Sequence, residues 1–237
     1  MHLVRIRIAD AGRIALHAEK IMDGIPQYYV QQYRRIKKKQ EADQELAAGF
    51  LLKKYLNVSS DAQFVRLEHG KPVLKSGNSF FNLSHSGEYT VLAAADIDIG
   101  VDIEQIKDVH WPTVQKIFTA EQREQLERTG EAGQPELFAK YWTECEAVLK
   151  LKGTGFAAET VTSDTGPGRT GSGDGRLPLK VYSFRYKEYM IACAAYGAFY
   201  RLFFVNTNRF SFFYVHIHPY RVRTGNLLSA FVFHIKI

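Results

Sequence analysis

The chain has 237 residues, 46% of them hydrophobic and 24% charged, an ordinary balance for a globular protein with a sizeable core. Two cysteines exclude a disulfide framework and fit a reducing cytoplasm, and the absence of any run of about 18 apolar residues excludes a spanning helix, so no membrane partner is expected. The net charge is +6, but from Ala198 onward there is no acid and five basic residues, which leaves +1 for the first 197 residues. That near-neutral body gives no nucleic-acid footprint, although the tail's arginines and aromatics are a chemistry that suits single strands.

"MHLVRIRIAD" alternates apolar and charged residues like a first strand rather than a leader, with Val4, Ile6 and Ile8 on one face and Arg5 and Arg7 on the other. Two helical stretches follow, one opening at Pro26 ("PQYYVQQYRRIKKK") and one with Leu46, Phe50 and Leu51 at helical spacing ("EADQELAAGFLLKKYL"). "VRLEHGKPVL" predicts a strand ending in a Gly-Lys-Pro turn, "SFFNLSHSGEYTVLAAAD" strand, Ser-Gly turn, strand, and "DIGVDIE" a further strand.

The second half opens near Gln105. In "FTAEQREQL", Thr119 with Gln122 predicts a capping box. "ELFAKYWTECEAVLKLKG" is the strongest helix pattern, with Phe138, Tyr141, Trp142, Cys145, Val148 and Leu149 on one stripe and Gly153 as its stop. Thr162 to Arg176 has five glycines and no strongly apolar residue, and reads as a surface loop. "LPLKVYSFRYKEYMIACAAY" predicts two strands around a Tyr-Lys-Glu turn. Each half offers helix plus sheet, so the class is α+β, and no sequence repeat is read between them. From Ala198 the composition changes: eleven of forty residues are Phe or Tyr, which suits further strands or an aberrant C-terminus.

Asp102 and Glu104 lie two apart on a strand, so their carboxylates share a face and repel. Either they are a solvated edge, or a hard cation such as Mg²⁺ holds them together. Glu146 and Lys150, four apart on a helix, are either an exposed ion pair or a third metal ligand beside a phosphate-pairing lysine. In "NLSHSG", Ser84, His85 and Ser86 offer hydrogen bonds to a phosphate, unless His85 is structural. Lys71 stands in a turn made rigid by Pro72, though surface lysines are common. No zinc spacing, Walker A sequence, dinucleotide fingerprint or nucleophile elbow is present.

The series "GKP", "FNLSHS", "IGVDIE", "FTAE" and "WTECEAVLKLKG", in that order, resembles the 4′-phosphopantetheinyl transferases of the long, monomeric kind that serve peptide and polyketide synthetases. The match runs from Gly70 to about Phe156. The resemblance implies two pseudo-symmetric α/β subdomains with the active site in the cleft between them. Residues 1–104 would form the adenosine and 3′-phosphate side, residues 105–197 the metal and pyrophosphate side, and 198–237 a tail of no assigned role. It implies transfer of the phosphopantetheine arm of coenzyme A to a serine of an apo acyl or peptidyl carrier protein, with release of 3′,5′-ADP. Asp102, Glu104 and Glu146 match the family's ligands for Mg²⁺, or Mn²⁺. Lys150 matches the pyrophosphate-pairing lysine and, with Glu146, the catalytic pair. Lys71, Pro72, Ser84 and His85 match residues that hold the 3′-phosphate end. Cys145 stands where the family usually has Lys, and Gln44 and Glu45 stand where a basic residue is common. A catalytically weak or inactive relative that binds coenzyme A or a carrier protein is therefore the alternative.

Overall fold

A computed structural model describes residues 2–67, 70–77, 79–154, 177–197, 199–206 and 211–216. Strand β1 (His2–Asp10) is followed by short helices α1 (Ala11–Ala15) and α2 (Ala18–Met22), which the sequence reading did not anticipate. Asp10 caps α1, its carboxylate accepting from the Arg13 amide. Helix α3 (Gln27–Arg35) starts after Pro26, and α4 (Lys39–Leu56) runs to a left-handed Asn57. The "VRLEHGKPVL" stretch is a small hairpin, β2 (Phe64–Arg66) with β3 (Pro72–Leu74), rather than one strand. Strands β4 (Phe80–Ser86), β5 (Tyr89–Ala95) and β6 (Ile99–Gln105) come next, as expected.

Helices α5 (Trp111–Ile117), α6 (Ala120–Arg128) and α7 (Gln134–Lys152) precede strands β7 (Leu179–Tyr186) and β8 (Tyr189–Tyr196). The Thr119–Gln122 capping box is formed, and Gly153 ends α7 at φ +71°, where a side chain would be strained. The loop expected at 162–176 lies outside the described residues. Strands β9 (Phe199–Asn206) and β10 (Ser211–His216) come from the aromatic tail. They extend the first sheet, which has the order β10-β9-β1-β5-β4, while β6-β8-β7 form a second sheet. The first part of the tail is therefore sheet, with β9 parallel to β1.

The division expected after Glu104 falls one residue before the end of β6. Strand β6 pairs with β8 along its whole length, so by hydrogen bonding it belongs with the second half. So divided, the halves repeat each other. Antiparallel to β1 lies β5, with Arg7 opposite Leu92; antiparallel to β6 lies β8, with Asp102 opposite Ala192. The amide of Ala11 donates to the Glu88 carbonyl at one hairpin turn, and that of Ile106 to the Glu188 carbonyl at the other. A sequence repeat does exist: "GEYTVLAAA" (87–95) and "KEYMIACAA" (187–195) are the matching hairpin arms.

The main core lies between the two sheets and draws on both halves alike. Val4, Ile6, Ile8, Val91 and Ala93 meet Ile99, Val101, Ile103, Ile191 and Cys193. The equivalent tyrosines Tyr89 and Tyr189 pack edge to face at 5.0 Å between ring centres. Helix α4 covers the outer side of the first sheet around Leu46, Leu51 and Leu92, and α7 covers the second around Ala147, Leu151 and Ala192.

Candidate active site at the seam between the sheets

Where β4 meets β6, side chains take the place of a backbone ladder. Asn82, Ser84 and Ser86 alternate onto one face of β4. Asn82 Oδ1 accepts from the Val101 amide at 2.9 Å, Ser84 Oγ from the Ile103 amide at 3.4 Å, and Ser86 Oγ from the Gln105 amide at 3.2 Å. The two serine hydroxyls then donate to the carboxylates between those amides. Ser84 donates to Asp102 Oδ1 at 2.7 Å, and Ser86 to Glu104 Oε2 at 2.9 Å. Asp102 and Glu104 do share a face, as the spacing predicts, and it is not a solvated edge, since Asp102 is only 2% exposed.

Gly100 completes that face and explains how the helix reaches it. A Cβ there would overlap the Ala147 carbonyl and the Leu151 backbone. Without one, α7 lies directly on β6, and Lys150 reaches the seam. Its Nζ donates to Asp102 Oδ1 at 2.5 Å and to Ser84 Oγ at 2.8 Å. Ser84, Asp102 and Lys150 thus form one connected group. Trp142, one turn before Glu146 on α7, donates its indole N–H to Glu104 Oε1 at 3.3 Å.

The acids feel one another. Burial, then the Asp102 charge, raises the Glu104 pKa above the usual carboxylate value. Burial and then Asp102 push Glu146 up to about 7, against the pull of Lys150. The Cys145 thiol is pushed up to about 12, first by burial and then by Glu146 and Asp102, so it is a neutral, half-buried side chain that contributes no cation here.

The remaining candidates stand nearby with other partners. Lys71, its side chain 7% exposed, donates to Asp98 Oδ1 at 2.8 Å and to the Leu151 carbonyl at 3.0 Å. It ties the β2–β3 hairpin to the end of α7 and lines a cavity of about 130 Å³ with Leu67, Phe80, Asp98 and Lys152. Pro72 opens β3 opposite Arg66. His85 alternates to the other face of β4 from Ser84, exposed at the rim; its crowded setting, then the Lys150 charge, lowers its pKa. Gln44 is buried and donates to the Gly87 carbonyl at 2.7 Å, so it packs against the hairpin turn. Sequence reasoning did not find the roles of Asn82, Gly100 and Trp142; the i, i+2, i+4 alternation of "NLSHS" against "GVDIEQ" is the signal that points to the first two.

Among the described residues, no three acidic, His or Cys side chains stand close enough together to hold a metal as they are. The donor chemistry nevertheless fits a hard cation. All the candidates are carboxylate oxygens, and Asp102 Oδ2 is buried with no hydrogen-bond partner. No helix among the described residues is long and apolar enough to cross a membrane.

The family model for the 4′-phosphopantetheinyl transferase superfamily matches residues 98–194, the stretch from the start of β6 through β8. The chain is 38% identical over 90 residues to 4′-phosphopantetheinyl transferase psf-1 of Bacillus pumilus, a match covering 38% of this chain and 39% of that one. It is 27% identical over 145 residues to 4′-phosphopantetheinyl transferase Sfp of Bacillus subtilis, covering 59% and 65%. It is 33% identical over 124 residues to 4′-phosphopantetheinyl transferase AcpT of Salmonella typhi, covering 51% and 63%. The chain thus matches less than two thirds of the length of each of these relatives. The segment matched by the family model carries Asp102, Glu104, Glu146 and Lys150, and over it the chain is similar to the 4′-phosphopantetheinyl transferase superfamily, with relatives of the Sfp type.

Proposed function

We propose that this protein moves the 4′-phosphopantetheine arm of coenzyme A to a serine of an apo acyl or peptidyl carrier protein. The serine oxygen bonds to the β-phosphorus, the bond from that phosphorus to the bridging oxygen breaks, and 3′,5′-ADP leaves with the electron pair. The observation that carries this reading is the seam: one buried acid bonded to both Ser84 and Lys150, with Glu104 and Glu146 near it, the three acids and Lys150 lying inside the segment that matches the family model.

Asp102, Glu104 and Glu146 would hold Mg²⁺, or Mn²⁺, which when bound offsets charge on the pyrophosphate. Lys150 exchanges part of its bond to Asp102 for a phosphate oxygen and stabilises the leaving group. Glu146 is the chain's own candidate to accept the serine proton, a role that requires one of its carboxylate oxygens to stay free of the cation. Ser84, His85, Lys71 and Pro72 form the adenosine 3′-phosphate side, and for this Lys71 must loosen its bond to Asp98. In this role the protein acts as a cytoplasmic monomer with no nucleic-acid or membrane partner.

The test is the intact mass of an apo carrier protein after incubation with the protein, coenzyme A and Mg²⁺. A gain of one phosphopantetheine that is lost in Glu146→Gln is the expected result. No gain with several carriers overturns it. Cys145 supports the alternative of a weak or non-catalytic relative, since the half-buried neutral thiol leaves the site one cation poorer than the family pattern. Binding of coenzyme A without transfer, with transfer appearing in Cys145→Lys, would select that alternative.

A further inference from the structure

The seam repeats one arrangement at two successive steps. Ser84 Oγ accepts from the Ile103 amide and donates to Asp102; Ser86 Oγ accepts from the Gln105 amide and donates to Glu104. A serine hydroxyl has one hydrogen to give. Because the Gln105 amide points its N–H at Ser86 Oγ, the Ser86 hydrogen is left to the Glu104 carboxylate. Trp142 donates to the other oxygen, so Glu104 is gripped from the strand on one side and from α7 on the other. The third step, Asn82, accepts from the Val101 amide alone, and the residue before that amide is Gly100, with no side chain to orient.

We propose that Ser86 is a positioning residue of the transfer site, fixing the Glu104 carboxylate across the seam from a different sheet. It acts through Glu104 and does not touch the reacting atoms. The consequence is that the geometry of the acids depends on the junction between the two halves, because β4 belongs to one sheet and β6 to the other. Donors that orient a ligating carboxylate typically change metal affinity by tenfold or more when removed. This inference rests on the transferase reading given above.

The test compares Ser86→Ala, Ser86→Thr and Asn82→Ala with the wild-type chain. Mn²⁺ binding in the presence of coenzyme A is read by electron paramagnetic resonance, and thermal unfolding and carrier modification are followed in parallel. Ser86→Ala is expected to weaken Mn²⁺ binding about tenfold. Ser86→Thr, which keeps the hydroxyl, restores most of it. Asn82→Ala, which removes a step that holds only backbone, lowers the unfolding temperature at least as much but leaves Mn²⁺ binding within about twofold of wild type, since no carboxylate loses its donor. Wild-type transfer together with unaltered Mn²⁺ binding in Ser86→Ala would overturn this inference alone. So would equal weakening in Asn82→Ala, which would mark the seam as general scaffolding. A wild-type chain that neither binds Mn²⁺ nor modifies a carrier would overturn the transferase reading, and this inference with it.

Discussion

The two halves place opposite chemistry on the same scaffold position. In the first half, Arg7 lies opposite Leu92 and stacks over the Tyr55 ring, 4.9 Å from its centre, near the end of α4. In the second, Asp102 lies opposite Ala192 and pairs with Lys150 near the end of α7. The neighbours follow suit: Arg5 is exposed opposite Ala94, while the matching residue opposite Ala194 is Gly100. One half therefore uses the strand-to-helix contact to cover a sheet, and the other uses it to bring acids and a lysine together. The difference teaches that the repeated fold supplies positions, while the side chains grafted on them supply chemistry.

That comparison is sharpest at Gly100. A Gly100→Ala substitution forces a methyl against the backbone of α7, and is expected to cost about 3 kcal/mol or more and to abolish carrier modification. The matching Arg5→Ala change sits on an exposed position and should shift stability by no more than about 0.5 kcal/mol. Urea denaturation of both variants measures the contrast, and equal losses would break it.

The next largest effect falls on the two pairs. Lys150→Met leaves Asp102 buried without its cation; with Lys150 itself 30% exposed, the cost is expected near 2–3 kcal/mol, below that of a fully enclosed pair. Loss of transfer should be complete. Tyr55→Leu, which removes the ring under Arg7 and Lys54, is expected to cost about 0.5–1 kcal/mol and to leave transfer in place. Denaturation curves and the carrier mass assay read both.

The hairpin turns give a smaller contrast. Gly87 has φ +53°, and a Cβ there would overlap the Tyr189 hydroxyl. Its counterpart Lys187 adopts the same φ of 53° with a full side chain, and its ammonium donates to the Tyr89 hydroxyl at 2.5 Å. Gly87→Ala should therefore destabilise by at least about 1–2 kcal/mol from the left-handed backbone alone. Lys187→Gly relieves that strain while losing one hydrogen bond, so its thermal unfolding should shift by the equivalent of less than about 1 kcal/mol.

The pH response belongs to the second half's acids. Glu146 has a folded pKa of about 7 against an ordinary 4.5, so the folded state holds its proton more tightly than the unfolded state. Stability contributed by that proton is full below pH 4.5 and falls as pH rises through about 7. Glu104 shifts in the same direction. The unfolding temperature of the metal-free chain should accordingly decline between those limits, and Glu146→Gln should flatten the decline. Added Mg²⁺ should restore stability above neutrality, because it binds the ionised acids of the folded state.

Much of the architecture was legible along the chain. Alternation in "HLVRIRIAD" and "IGVDIEQ" marks strands β1 and β6, and the Thr119–Gln122 pair and Gly153 mark helix ends, because these signals are local backbone chemistry. The motif order also pointed to the family. Helices α1 and α2 were missed since each is five residues long and lacks a full apolar period. The internal repeat was missed because only the "EY" step and the paired alanines survive in the two hairpin arms.

The sequence by itself determined that Asp102 and Glu104 share a face and that Glu146 and Lys150 share a helix flank, since strand and helix periods fix those directions. Only the tertiary structure decided that the two pairs meet. That meeting needs α7 to lie on a glycine in β6, and β4 to hold β6 through side chains instead of a backbone ladder. It also assigned Lys71 a partner in Asp98 and paired β6 with β8. Each of these is a contact between residues far apart along the chain, and no local period encodes such contacts.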